Sequence, residues 1–200
     1  MHYFPYSEAE LAYLRKKDKK LAVLTDRVGI IKRPINPDPF ASLVDSIVAQ
    51  QISTKAAATV SAKLLAMCGE MTPHKLNALS QPEIQTCGMS MQKAGYIKNI
   101  AQAAVSKTVD FDNLHRQTDQ EIIETLSAIK GVGVWTAEML LIFSLARPDV
   151  VSYGDLIIRR SIMQLYGHKE LPKERFLRYV KRYSPYGSVA SLYLWAMAAL

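Results

Sequence analysis

Leu126-Ser127-Ala128-Ile129-Lys130-Gly131-Val132-Gly133-Val134-Trp135-Thr136-Ala137 is the stretch whose reading decides the fold. One helix ends at about Ile129 and a second begins at about Val134. Between them stand two glycines separated by one small apolar residue. Glycine permits positive φ and leaves room for another backbone to come close. The turn also points the free N–H groups of the second helix outward, which makes an anion site without any lysine. Phosphate held this way is gripped by main-chain dipoles and positioned without sequence reading. As a spacing alone, Gly-x-Gly between helices also fits an ordinary tight αα turn.

Outward from the hairpin, helix signals recur and strand signals do not. Phe40, Leu43, Val44, Ile47 and Val48 repeat at i, i+3, i+4, i+7 and i+8, the stripe of an amphipathic helix. Ser53 caps a helix through the Ala56-Ala57-Ala58 run to about Leu65. Thr72-Pro73 is an N-cap followed by proline at the first helical position. Ser80 with Glu83, and Thr118 with Glu121, have the spacing of capping boxes. Ser90 opens a helix from Met91 to about Lys107, and Gly88 stops the one before it. Further helices are expected at Glu8 to Leu24, Trp135 to Leu145, Leu156 to Tyr166 behind Asp155, Lys173 to Tyr183 behind Pro172, and after Ser184-Pro185. Nine or ten helices with short connections predict an all-α fold without internal repeats.

The chain has 200 residues, 49% of them hydrophobic and 22% charged, a composition that excludes disorder and collagen-like repeats. Its apolar runs fall short of the ~18 residues needed to cross a bilayer. The start, Met1-His2-Tyr3-Phe4-Pro5, lacks the pattern of a secretory signal. Two cysteines, Cys68 and Cys87, cannot build a disulfide framework, a four-cysteine zinc site or an iron–sulfur cluster. His2, His74, His115 and His168 are scattered, so no metal site is expected. A cytoplasmic protein fits these features.

Lys and Arg number 25 against 18 Asp and Glu, a net charge of +7 that suggests an anionic partner. The surplus is uneven. Residues 11–33 and 156–200 each carry eight basic and two acidic side chains. Residues 101–155, which contain the hairpin, carry four basic and eight acidic. Two solvated helix faces would account for the basic ends equally well.

Four motifs in order carry a resemblance. Ser46-Ile47-Val48-Ala49-Gln50-Gln51-Ile52-Ser53 is followed by the hairpin, then by Arg147-Pro148-Asp149-Val150-Val151-Ser152-Tyr153-Gly154-Asp155-Leu156, then by Ser184-Pro185-Tyr186-Gly187-Ser188-Val189-Ala190-Ser191-Leu192-Tyr193-Leu194-Trp195. Together they resemble the helix-hairpin-helix DNA glycosylase superfamily, in particular its 3-methyladenine DNA glycosylase II branch, in a compact form without the β-domain of larger members. The resemblance implies two helical lobes with the active-site cleft between them. One lobe would span about 36–145, the other 1–35 with 146–200, within a single glycosylase domain. It implies a bacterial, nucleoid-associated activity on double-stranded DNA with alkylated bases, by a monomer. The resemblance implies no required cofactor and allows a monovalent cation at the hairpin.

The resemblance makes Asp155 the catalytic aspartate. A bare Asp at this position would otherwise be a plain N-cap. A carboxylate suits the chemistry, because cleavage of a glycosidic bond builds positive charge on the deoxyribose. It can also orient or deprotonate the attacking water. Trp135 stands where bifunctional members carry a lysine nucleophile. An indole forms no Schiff base, so the implied enzyme is monofunctional and leaves an abasic site.

Trp195 matches a base-pocket tryptophan, whose face attracts the positive charge of an alkylated purine. Trp135, Tyr153 and Met139 are further pocket candidates, with Tyr193 weaker. Met139 replaces a tyrosine of the larger bacterial relative, and Ala196 also replaces an aromatic. Gln51 falls at the wedge that fills the gap left by a flipped base. Lys130, Gly131, Val132 and Gly133 would hold the DNA backbone, with Arg147, Arg159 and Arg160 as further phosphate contacts. Gly187 stands where the motif commonly has arginine. Core packing explains Trp135 and Trp195 as well as a pocket does, and a solvent-facing loop residue explains Gln51.

Two other readings compete. One is a glycosylase for oxidised, mismatched or otherwise damaged bases on the same scaffold. Trp135 and the missing cysteines argue against its lyase and iron–sulfur versions. The other is a non-catalytic helix-hairpin-helix module that only binds DNA. Asp155 argues against that, since a carboxylate beside phosphate gains nothing for binding.

Overall fold

The structure, a computed structural model, describes residues 2–200. In chain order, β1 (His2–Tyr3), α1 (Glu8–Lys17), α2 (Lys19–Val28) and β2 (Pro34–Ile35) are followed by α3 (Pro39–Ala49), α4 (Thr54–Cys68), α5 (Pro73–Ala78) and α6 (Gln81–Gln85). Then come α7 (Met91–Val105), a 3-10 helix (Phe111–Arg116), α8 (Asp119–Ser127), α9 (Val134–Phe143), α10 (Leu156–Tyr166), α11 (Lys173–Tyr183) and α12 (Gly187–Met197). The fold class is all-α, as the spacing predicts. The chain forms two compact units, one of residues 1–35 with 141–200, the other of residues 36–140.

In the unit of residues 36–140, the stripe on α3 is the core. Leu43, Val44, Ile47 and Val48 are fully buried. They pack with Ile97, Ile100 and Ala101 of α7 and with Val60 and Leu64 of α4, while Phe40 meets Phe111 edge-on at 5.6 Å. The caps hold the helix starts in register. Ser53 accepts from the Ala56 N–H at 3.2 Å and Ser90 from the Lys93 N–H at 3.2 Å. Ser80 with Glu83 and Thr118 with Glu121 form complete capping boxes.

In the other unit, α12 is buried from Gly187 to Leu194 and packs against α2, α10 and α11. A helix apolar all round belongs in the middle of its layer. Leu11, Leu14, Leu21, Ile158, Ile162 and Phe176 surround it.

Three local expectations change. The single helix expected over Glu8 to Leu24 is two, because Asp18 leaves the helical region (φ −146, ψ 108). Its carboxylate caps α2, accepting from Lys20 and Leu21 N–H at 3.0 and 2.9 Å, and also from Tyr166 and Arg182 at 2.7 and 2.8 Å. No apolar period marks that break, since Leu11, Leu14, Leu21 and Leu24 keep a helical spacing across it. A two-residue antiparallel pair, His2 with Ile35 and Tyr3 with Pro34, supplies a strand element too short to show alternation. The 3-10 helix at Phe111–Arg116 is likewise too short to show a period.

Burial pushes the Asp18 carboxyl up, but hydrogen bonds from Arg182, the Leu21 N–H and Tyr166 outweigh it and hold it below its ordinary value. A lowered folded pKa contributes stability that is complete above about pH 4 and is lost as pH falls through the folded value. Asp18→Ala uncaps two helix N–H groups and removes the buried acceptor shared by Tyr166 and Arg182, at a cost of about 2–3 kcal/mol. Denaturation curves of both proteins at pH 7 and near pH 3 check this. The gap is expected to be large at pH 7 and to narrow in acid.

Candidate active site

Asp155 sits at the first turn of α10, with 6% of its surface exposed. Oδ1 accepts the Ile158 N–H at 2.9 Å, so the residue is an N-cap. Oδ2 accepts the Trp195 indole Nε1–H at 3.2 Å. The two donors hold the carboxylate in one orientation beside an aromatic ring.

The loop that brings Asp155 there is tied to the start of α12. The Ser188 hydroxyl donates to the Arg147 carbonyl at 2.6 Å and accepts from the Val150 N–H at 2.9 Å. The Ser188 N–H donates to the Pro148 carbonyl at 2.9 Å. The Ser191 hydroxyl donates to the Val150 carbonyl at 3.0 Å. Asp149 accepts from the Gly187 N–H at 3.0 Å and from the Ser184 hydroxyl at 2.5 Å. Two of the motifs that carry the resemblance are thus halves of one hydrogen-bonded structure.

Gly187 fits this arrangement for a steric reason. A Cβ on it would lie 2.7 Å from Asp149 Oδ1 and 2.7 Å from Val151 Cγ2. An arginine there would require a different course for the 149–151 loop. Gly187→Ala is expected to cost about 1–3 kcal/mol through overpacking. It should also slow base release, because the loop that carries Asp155 must shift. Melting curves and single-turnover rates measure the two effects.

The indole of Trp195 rests against Phe143 at the end of α9, with ring centroids 5.4 Å apart. On Phe143 lies the Arg33 guanidinium, 4.7 Å from its centroid. Burial lowers the pKa of Arg33. Neither Phe143 nor Arg33 figures among the sequence candidates. Phe143 reads as core at the end of an apolar helix, and Arg33 as one charge in a basic run.

Tyr153 packs edge-on against Phe176 at 5.1 Å and lies under the Arg159 guanidinium at 5.2 Å. Arg159 is partly exposed, with its Nε buried. Arg160 is exposed. Tyr193 is fully buried, donates to the Gly29 carbonyl at 2.8 Å and faces Tyr6 edge-on, so it packs in the core.

The hairpin belongs to the unit of residues 36–140. Gly131 has φ 106, and a Cβ there would run into the Tyr96 side chain of α7. Asn99, also on α7, donates to the Lys130 carbonyl at 3.1 Å. Val132 is buried and anchors the turn, while Lys130 and Gly133 are exposed. Val134 and Trp135 open α9, 53% and 43% exposed. Met139 is one turn further along the same helix and buried. An anchored turn with an exposed rim suits the contact with phosphate expected of it. Gln51 is exposed in the turn between α3 and α4, with a left-handed φ of 57.

The family model for HhH-GPD superfamily base excision DNA repair proteins matches residues 44–185. The chain belongs to the HhH-GPD superfamily. Within the superfamily it is similar to DNA-3-methyladenine glycosylase 1 of Schizosaccharomyces pombe, at 31% identity over 97% of this chain and 87% of that protein. Among solved structures, the DNA-3-methyladenine glycosidase of Bacillus halodurans has a TM-score of 0.85 at 37% identity, over 99% of this chain and 93% of that one. The Schizosaccharomyces pombe 3-methyladenine DNA glycosylase in complex with abasic DNA has a TM-score of 0.84 at 30% identity, over 96% and 97%. Among the described residues, no group of His, Cys, Asp and Glu could hold a metal ion, and no helix is long and apolar enough to cross a membrane.

Proposed function

We propose that this HhH-GPD protein is a monofunctional DNA glycosylase that releases alkylated purines, 3-methyladenine among them, from duplex DNA by hydrolysis. The observation that carries the reading is the pair formed by Asp155 and Trp195. A buried, oriented carboxylate lies within hydrogen-bond distance of an indole. The relatives named for 3-methyladenine support the substrate class.

Alkylation leaves a purine with a formal positive charge. The indole face of Trp195 attracts such a base by about 0.5–2 kcal/mol, more once water is excluded. Tyr153 is a further pocket residue of the same unit in this reading, and Trp135 and Met139 are the candidates on α9. As the bond from C1′ to the base nitrogen breaks, its electron pair neutralises the departing base, so little acid assistance is required. Positive charge moves to the deoxyribose, where the Asp155 carboxylate stabilises it. Water then adds to C1′ and gives up a proton, for which Asp155 is the acceptor. The product is an abasic site.

Trp135 has no amine, so no Schiff base forms at its position. Lys130, Gly131, Val132 and Gly133 hold the backbone through main-chain groups, and Gln51 fills the gap left by the base. A monovalent cation at the hairpin would have to share the Ile129 and Lys130 carbonyls with the Val132 N–H and Asn99. The reaction itself requires no cofactor. The protein would act as a monomer, wherever the cell keeps its DNA, in a bacterial cytoplasm or a nucleus.

The test is a panel of duplexes carrying 3-methyladenine, 7-methylguanine, hypoxanthine, ethenoadenine or 8-oxoguanine, with released base measured by chromatography. Release from the methylated purines and not from 8-oxoguanine is expected. Release from 8-oxoguanine alone would move the reading to oxidised bases, and release from none to a DNA-binding module.

A further inference from the structure

The turn between α3 and α4 is held in an unusual way. α3 ends at Ala49, and the next two residues reverse the chain before Ser53 caps α4. Gln51 takes the left-handed φ of 57 that follows many helix ends, where glycine is the usual occupant. A side chain in that region costs roughly 1–2 kcal/mol. The turn's own main-chain bonds are long, 3.3 Å from the Gln50 N–H to Ile47 and 3.5 Å from the Ile52 N–H to Ala49. Little within the turn keeps Gln51 where it is.

The hold comes from α7. Lys93, in its first turn, donates from Nζ to the Val48 carbonyl at 2.8 Å and to the Gln50 carbonyl at 2.5 Å. These oxygens lie at the C-terminal end of α3, where the helix dipole is negative and a cation is favoured. Among the described residues Lys93 makes no ion pair, and burial lowers its pKa. Its own backbone is fixed by the Ser90 cap. A partly buried ammonium bonded to two carbonyls just ahead of a strained residue, the nearer of them in the peptide bond to Gln51 itself, is a clamp on that residue's conformation.

We propose that Lys93 is a positioning residue for base extrusion, holding the turn so that the Gln51 side chain is presented in one direction. The assignment rests on the reading of Gln51 as the wedge. Strain kept at one exposed glutamine, with a dedicated cation behind it, gives a use to a conformation that glycine would adopt freely. Lys93 touches neither base nor phosphate in this account. It acts through the main chain of Val48 and Gln50.

The test uses the full chain and a duplex carrying 2-aminopurine opposite a tetrahydrofuran abasic analogue, with fluorescence reporting unstacking of the orphaned base. Gln51→Ala should lose the signal. Lys93→Met should lower it about tenfold, the scale of a lost charged hydrogen bond, with duplex affinity held within about twofold. The double variant should fall no further than Gln51→Ala alone. Should Lys93→Met destabilise the fold, its stability is compared with that of Lys93→Met in a Gln51→Gly background. Glycine relieves the strain, so the loss of the clamp should cost measurably less there.

A full signal in Lys93→Met beside a lost one in Gln51→Ala would overturn the clamp and leave the wedge standing. Equal losses of stability in the two backgrounds would also overturn the clamp. A full signal in Gln51→Ala would remove the wedge itself.

Discussion

Asp155→Asn is expected to reduce base release by two to four orders of magnitude, about what one charged group aimed at the reacting centre contributes. The substitution keeps size and shape and removes the charge. It also disturbs the local hydrogen bonds in a definable way. Asp155 accepts from both Ile158 N–H and Trp195 Nε1–H, through its two oxygens. An amide has one oxygen, so its NH2 must face one of those donors. Either the α10 cap or the indole contact is lost, at about 1 kcal/mol, which shifts the melting temperature by a few degrees at most. Single-turnover release from methylated duplex, beside a melting curve, separates the two effects. Near-normal release by a folded Asp155→Asn would remove the carboxylate from the mechanism.

Gly131→Ala is the second large effect. The φ of 106 is a conformation that alanine rarely adopts, and the added carbon would occupy the space of Tyr96. Strain and overpacking together should cost about 2–4 kcal/mol. Because Tyr96 and Asn99 hold the hairpin against α7, the turn should move and binding to DNA should weaken with it. Gly133→Ala is the internal control. A Cβ at Gly133 meets nothing within 4 Å, and its φ is not in the left-handed region. It should change stability by less than about 1 kcal/mol. Denaturation midpoints rank the two variants. Equal behaviour would mean that Tyr96 does not set the hairpin.

Much of this molecule is legible in its sequence because its signals are local. The α3 stripe needs only a period of 3.6. The capping boxes at Ser80 and Thr118 need only a partner three residues on. Asp155 is legible twice, as a cap from its position and as a catalytic group from the motif around it. The features that escape sequence reading depend on residues far apart. Asp18 breaks a helix because Arg182 and Tyr166 reach it from the other end of the chain. Phe143 and Arg33 join Trp195 through ring contacts, with no shared motif. Lys93 reads as one exposed charge on a helix until the carbonyls of Val48 and Gln50 are seen against it. Gly187, a departure from the family pattern, finds its reason only in the nearness of Asp149 and Val151.

The proposed reaction is hydrolysis of the glycosidic bond without a covalent enzyme–DNA intermediate. The most direct measurement incubates the protein with end-labelled duplex carrying 7-methylguanine. Part is treated with borohydride during the reaction, and strand length is read before and after hot alkali. Free base, an intact strand that breaks only on alkali, and no trapped adduct are expected of a hydrolytic glycosylase. A borohydride-trapped adduct, or a strand nicked without alkali, would contradict it.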